Sequence, residues 1–118
     1  MKIVFITLLI LNFLGEALAS LSLINGPEGL SAAGTGGQWS MHYGFAVISI
    51  ASISIWLWLQ RQNLPTVTAL LGVLCTFHIS VLLSLAIAGD QMGGVVIHAV
   101  LSVLSITCLL RRHQISNG

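Results

Sequence analysis

Four long apolar runs divide the chain, separated by short polar stretches. Ile3 to Ile24, Trp39 to Leu59, Thr66 to Ala88 and Met92 to Leu110 are each long enough to cross a hydrocarbon layer about 30 Å thick at about 1.5 Å of rise per residue. The pattern predicts an all-α integral membrane bundle in which residues 1–118 form one domain, with spans at about 3–24, 39–59, 66–88 and 92–110. In the last run His98, Ser102, Ser105 and Cys108 share one helical stripe, while Val95, Val96, Leu101, Leu104 and Leu109 cover much of the rest. A polar stripe on such a helix is expected to face protein, and an ionisable residue within it is a candidate functional group.

The first run admits two readings. Lys2, the apolar stretch Ile3 to Leu14 and the sequence Ala17-Leu18-Ala19-Ser20 match a cleavable secretory signal. Apolar character resumes at Leu21, Leu23 and Ile24, so the run also suffices for a retained span, provided Asn12 and Glu16 find partners inside a bundle. The bundle has four transmembrane helices if this segment is kept and three if it is removed.

Between the first two runs, Asn25 to Gln38 is rich in glycine and small polar residues and predicts an aqueous connector. It has no GxxxxGK and no strand before it, so it is not a phosphate cradle. The second run carries Trp39 and Tyr43 at one end and Trp56 and Trp58 at the other, as expected of the two headgroup layers. Its His42 shares a face with Ala46, Ser49, Ser52 and Ile53, which predicts that this face meets another helix. In the third run Gly72, Thr76, Ser80 and Ser84 recur every four residues as a small-residue packing seam. His78 stands nearly opposite, so this helix has either two protein-facing sides or an exposed histidine. Lys2, Arg61, Arg111 and Arg112 fall on one side of a four-span topology, with Glu28 and Asp90 on the other. The positive-inside rule then puts both termini in the cytoplasm if the first segment is uncleaved, in a membrane read as a bacterial inner membrane.

Composition sharpens the class. The chain is 56% hydrophobic and 6% charged, with a mean hydropathy of +1.00, too few solvating groups for a water-soluble domain of 118 residues. A net charge of +1 without a basic cluster gives no support for nucleic acid binding. Cys75 and Cys108 lie in different spans, form no metal-binding spacing and read as packing residues. No nucleophile, base and orienter can be grouped, so whether the chain is an enzyme stays open.

The histidines carry the candidate chemistry. Counted from the helix ends, His42 lies roughly 5 Å, His98 roughly 8 to 9 Å and His78 roughly 15 Å below the outer boundary. The level pair, His42 and His98, is the expected metal-ligating pair, with haem b as the cofactor held by two neutral imidazoles. Gly44, Ser49, Ser52 and Ser102 would make room for the macrocycle, and His78 would touch a propionate, a quinone or a proton path. Met41 and Met92 near the same level admit copper as an alternative.

This arrangement resembles a half-bundle of the haem A synthase family and, more loosely, other four-helix membrane b-type cytochromes. The resemblance rests on Trp39-Ser40-Met41-His42-Tyr43-Gly44 and Val96-Ile97-His98-Ala99, and implies that His42 and His98 are axial haem ligands. The chain departs from the family in lacking an Arg beside His42, cysteines in the first outer loop and a second half-bundle, so synthase activity is not implied. The expected function is a small haem-binding subunit in electron transfer or sensing within a larger membrane complex. The alternative is a non-catalytic accessory or assembly subunit with structurally satisfied histidines, and a copper-binding or transport element ranks below both. The expected partners are the lipid bilayer and other membrane subunits.

Overall fold

A computed structural model describes residues 1–89 and 91–116. Among the described residues five α-helices follow in order: α1 (Lys2–Asn25), α2 (Trp39–Leu59), α3 (Leu64–Ala88), α4 (Met92–Leu110) and the short α5 (Arg112–Ser116), with one turn of 3-10 helix, Leu30–Ala32, in the connector between α1 and α2. The first four are each long and apolar enough to cross a membrane. Asp90, expected in the turn before α4, lies outside the described residues. Helix α3 starts at Leu64 rather than Thr66 because the Asn63 side chain caps it, accepting the Thr66 amide at 3.3 Å, with Pro65 in the first turn where no donor is lost. It ends at Gly89, whose φ of +74° is a left-handed C-cap that glycine adopts without strain.

The helices run up, down, up and down around a square, each packing against its neighbours in sequence, with α4 closing onto α1. Helices α1 and α3 face each other across one diagonal, and α2 and α4 across the other. The most intimate pair is the α1–α2 hairpin. Gly44 makes it so, since a Cβ there would lie 2.8 Å from Ile24 Cγ1 and 3.1 Å from the Ser20 carbonyl. The backbones thus approach closely enough for Ser20 Oγ to donate to the Gly44 carbonyl at 2.7 Å and Ser40 Oγ to the Leu23 carbonyl at 2.9 Å.

The inward face of α2 is therefore Gly44, Val47, Ala51 and Ser54, whereas His42, Ala46 and Ser49 point outward. This corrects the expectation that His42, Ala46 and Ser49 meet the bundle; of the same expected face, Ile53 is buried and Ser52 partly so. Small residues occupy more than one face of α2, and the face that packs is the one whose glycine permits backbone contact. On α3, His78 is fully buried, while Thr76, Ser80 and Ser84 of the small-residue seam are exposed on the outside of the bundle. On α4 the stripe faces inward as expected, with Ser102, Ser105 and Cys108 buried and His98 half-buried.

Along its length the interior changes character. The half that holds both termini is filled by an apolar cluster including Phe5, Leu8, Leu57, Leu71, Leu74, Leu101 and Cys108, with Ile115 of α5 joining it from below. From the middle of the bundle toward the other half, which holds the 26–38 loop and the α3–α4 turn, buried polar side chains enter the interior in Asn12, Glu16, Ser20, His78 and Ser102, while the buried Ser54 and Ser105 lie among the apolar side chains nearer the termini. Large apolar side chains such as Ile10, Leu14, Leu18, Phe45, Ile55, Leu83 and Val103 point outward. So apolar an exterior is the opposite of the polar surface of a water-soluble bundle.

Candidate metal centre

The row Asn12, Glu16, Ser20 runs down the buried face of α1 at four-residue spacing and aims Glu16 at the bundle axis. Helix α3 brings His78 from across the diagonal, and α4 brings His98 from the side. His78 Nδ1 and His98 Nδ1 are 3.1 Å apart, and Glu16 Oε1 lies 3.7 Å from the first and 3.9 Å from the second. Glu16 is 3% exposed and His78 is wholly enclosed. Phe77 flanks both imidazoles edge-on, with ring centroids 5.3 and 6.1 Å away.

Glu16 stands too far from either nitrogen for a hydrogen bond. Those same separations suit atoms that share a central ion. The point equidistant from three atoms spaced 3.1, 3.7 and 3.9 Å lies about 2.1 Å from each, which is the length of a Zn²⁺ bond to imidazole nitrogen or carboxylate oxygen. Among the described residues, Glu16, His78 and His98 form the group of three or more such side chains placed to hold a metal ion.

Behind the triad, away from the loops, lies a hydrogen-bonded support. His78 Nε2 meets Asn12 Oδ1 at 3.0 Å, and Asn12 Nδ2 donates to the Ile50 carbonyl at 3.0 Å and to Ser54 Oγ at 2.9 Å. In front lies a cleft of about 610 Å³ that opens between the two hairpins toward the loop end, with Glu16 and His98 at its inner reach and Ser40, Tyr43, Glu28 and Gln91 among its walls. One turn along α4 from His98, the buried Ser102 Oγ has no hydrogen-bond partner among the described residues. The arrangement offers two imidazoles and a carboxylate on the protein side and an open approach on the other, the pattern of a metal site that keeps a coordination position free.

The three histidines singled out in the sequence separate. His78 and His98 come together. His42 does not join them: it is exposed on α2, edge-on to Trp39 with ring centroids 6.1 Å apart. Its helix stands diagonally across the bundle from α4. Depths counted from helix ends put His98 level with His42 and well above His78, and that ruler fails because the helices are unequal. Helix α3 has 25 residues and α4 has 19, a difference of about 9 Å in length, so equal counts from their ends do not mark equal heights. Gly44, expected to make room for a macrocycle, is filled by α1. Ser49 is exposed, and Met92 is 70% exposed at the start of α4.

Glu16 and Asn12 were legible only as polar groups needing partners. Their four-residue row with Ser20 is the same signal that identified the α4 stripe. In comparisons with protein-family models, curated proteins and solved structures, nothing matches this chain.

Proposed function

We propose that this chain is a small integral membrane protein that binds one first-row divalent transition-metal ion inside its helical bundle, through Glu16, His78 and His98. The carrying observation is the triangle of donor atoms at 3.1, 3.7 and 3.9 Å, with a centre one metal–ligand bond from each corner. Two imidazoles and one carboxylate favour Zn²⁺, Fe²⁺ or their neighbours over the all-oxygen coordination of Ca²⁺ and Mg²⁺. Membrane insertion is supported by the many large apolar side chains exposed around the bundle and by four helices of spanning length. The basic residues Lys2, Arg61, Arg111 and Arg112 belong to the end with the termini, so that end lies in the cytoplasm and the cleft opens to the opposite side. The ion arrives from that side, through the cleft.

Haem b is the cofactor expected from the pair His42 and His98. With His42 exposed on α2 and His98 instead against His78 at 3.1 Å, the donor set favours a single ion. The outward seam of Thr76, Ser80 and Ser84 supports a place beside another membrane helix, so the metal-holding bundle acts as a subunit of a larger assembly.

The test is metal content and Co²⁺ titration of the purified protein, with Co²⁺ absorption reporting the coordination number. One ion per chain is expected, lost in Glu16→Gln and His98→Ala and kept in His42→Ala. Absence of Co²⁺ binding overturns the reading. A reduced-minus-oxidised haem spectrum that His42→Ala abolishes would restore the haem pair His42 and His98.

A further inference from the structure

The Asn12 amide has only one workable orientation. Its Nδ2 faces the Ile50 carbonyl at 3.0 Å and Ser54 Oγ at 2.9 Å. A carbonyl oxygen is an acceptor only, so turning the amide over would set two oxygens against each other, neither with a proton. Asn12 is wholly enclosed, so water cannot relieve such a clash. The oxygen therefore faces His78 Nε2, at 3.0 Å. Because that oxygen can only accept, Nε2 must carry the hydrogen, and a neutral His78 then has none on Nδ1. The bare Nδ1 is the atom that faces His98 and Glu16. The 3.1 Å contact between the imidazoles follows: His98 Nδ1 donates and His78 Nδ1 accepts.

From this we infer that Asn12 is the positioning residue of the metal centre. Its amide, set by the Ile50 carbonyl and Ser54, holds His78 as the Nε2–H tautomer and points the Nδ1 lone pair at the ion. The inference rests on the metal reading for its function but not for its geometry. A metal-bound histidine ordinarily gives its second ring N–H to an oxygen that fixes ring and tautomer, and loss of that partner weakens binding by roughly 10- to 100-fold. Here the chain from α2 backbone to Asn12 to His78 is complete before any ion arrives, so the ring needs neither rotation nor tautomer exchange to bind. The hydrogen between the two Nδ1 atoms belongs to His98, so His98 is the ring that would change tautomer on binding: its proton would pass from Nδ1 to its own Nε2 by way of the cleft it lines, which frees the Nδ1 lone pair for the metal.

The test uses full-length protein with ¹⁵N-labelled histidine, free of metal. His78 is assigned by comparison with His78→Ala, and its nitrogens should show a protonated Nε2 and a bare Nδ1. A protonated Nδ1 in the wild type overturns the inference without recourse to any variant. Asn12→Leu, similar in size but without an acceptor, should mix the two tautomers and weaken Co²⁺ binding roughly 10- to 100-fold. Unchanged tautomer and affinity in Asn12→Leu would also overturn the role assigned to Asn12. If wild-type protein fails to bind Co²⁺, the metal reading falls, while the nitrogen spectra of wild type and Asn12→Leu still decide whether Asn12 sets the tautomer.

Discussion

The same substitution at two glycines should have opposite signs. At Gly44 an added Cβ would sit 2.8 Å from Ile24 Cγ1, 3.1 Å from Leu23 Cβ and 3.1 Å from the Ser20 carbonyl oxygen. The Ile24 methylene can rotate away, but Ser20 O is backbone, so α1 and α2 must part by a few tenths of an ångström. Overpacking of this kind costs about 1–3 kcal/mol, and strain on the 2.7 Å Ser20–Gly44 hydrogen bond adds to it. Alanine recovers up to about 1 kcal/mol in helix propensity. Gly44→Ala should therefore destabilise the bundle by about 1–2 kcal/mol. At Gly72, within α3, nothing lies within 4 Å of the added Cβ. Gly72→Ala should leave the isolated bundle unchanged or more stable by up to about 1 kcal/mol. Reversible unfolding of both variants in mixed micelles makes the comparison within one assay. A Gly44→Ala protein as stable as Gly72→Ala would mean that the α1–α2 contact is not as close as described. Because Glu16 is carried on α1 one turn from Ser20, Gly44→Ala should also weaken Co²⁺ binding, while Gly72→Ala should not.

Co²⁺ at about a hundred times its Kd should stabilise the wild type by about 2.7 kcal/mol through mass action, and Glu16→Gln should lose most of that gain; equal gains would place the ion elsewhere. Leu71→Ala, at a fully buried position in the apolar half, should cost about 2–5 kcal/mol yet leave the His78 nitrogen spectrum unchanged, because the polar layer does not depend on that side chain for its hydrogen bonds. A cysteine introduced at Gly34 should react with an impermeant thiol reagent from the non-cytoplasmic side, and labelling from the cytoplasm would reverse the orientation.

The helices were legible because run length and Gly/Pro punctuation suffice for spans that must be long and apolar. The ends of α2 and α4 fall at the expected residues, and α3 gains only the first turn that Asn63 caps. Helix facing was legible only where polarity was one-sided. On α4 one stripe gathers His98, Ser102 and Ser105, and that stripe is inward. On α2 serines, alanines and a glycine are spread around the helix, so the inward face is chosen by a contact with α1 that lies outside the helix's own sequence. The His78–His98 pairing was hidden for a related reason: heights depend on how unequal helices are offset, which no residue count records. Glu16 stood in plain view on a four-residue row with Asn12 and Ser20, but the row lies in a segment that also reads as a secretory signal. As part of a cleaved signal those side chains would be absent from the mature bundle and could ligate nothing.

The square of helices is two hairpins, and the site straddles the boundary between them. Glu16 and Asn12 belong to the first hairpin, His78 and His98 to the second, and the α2–α3 and α4–α1 faces that otherwise join the halves are much sparser than the hairpins' own interiors. An ion at the centre is thus a clasp. It would fasten together two halves that lipid alone gives little reason to stay paired. With the chain cut in the Gln60–Asn63 turn, the halves should travel together when the clasp is filled and drift apart when a chelator opens it. Metal supply would then set whether this protein behaves in the membrane as one body or as two.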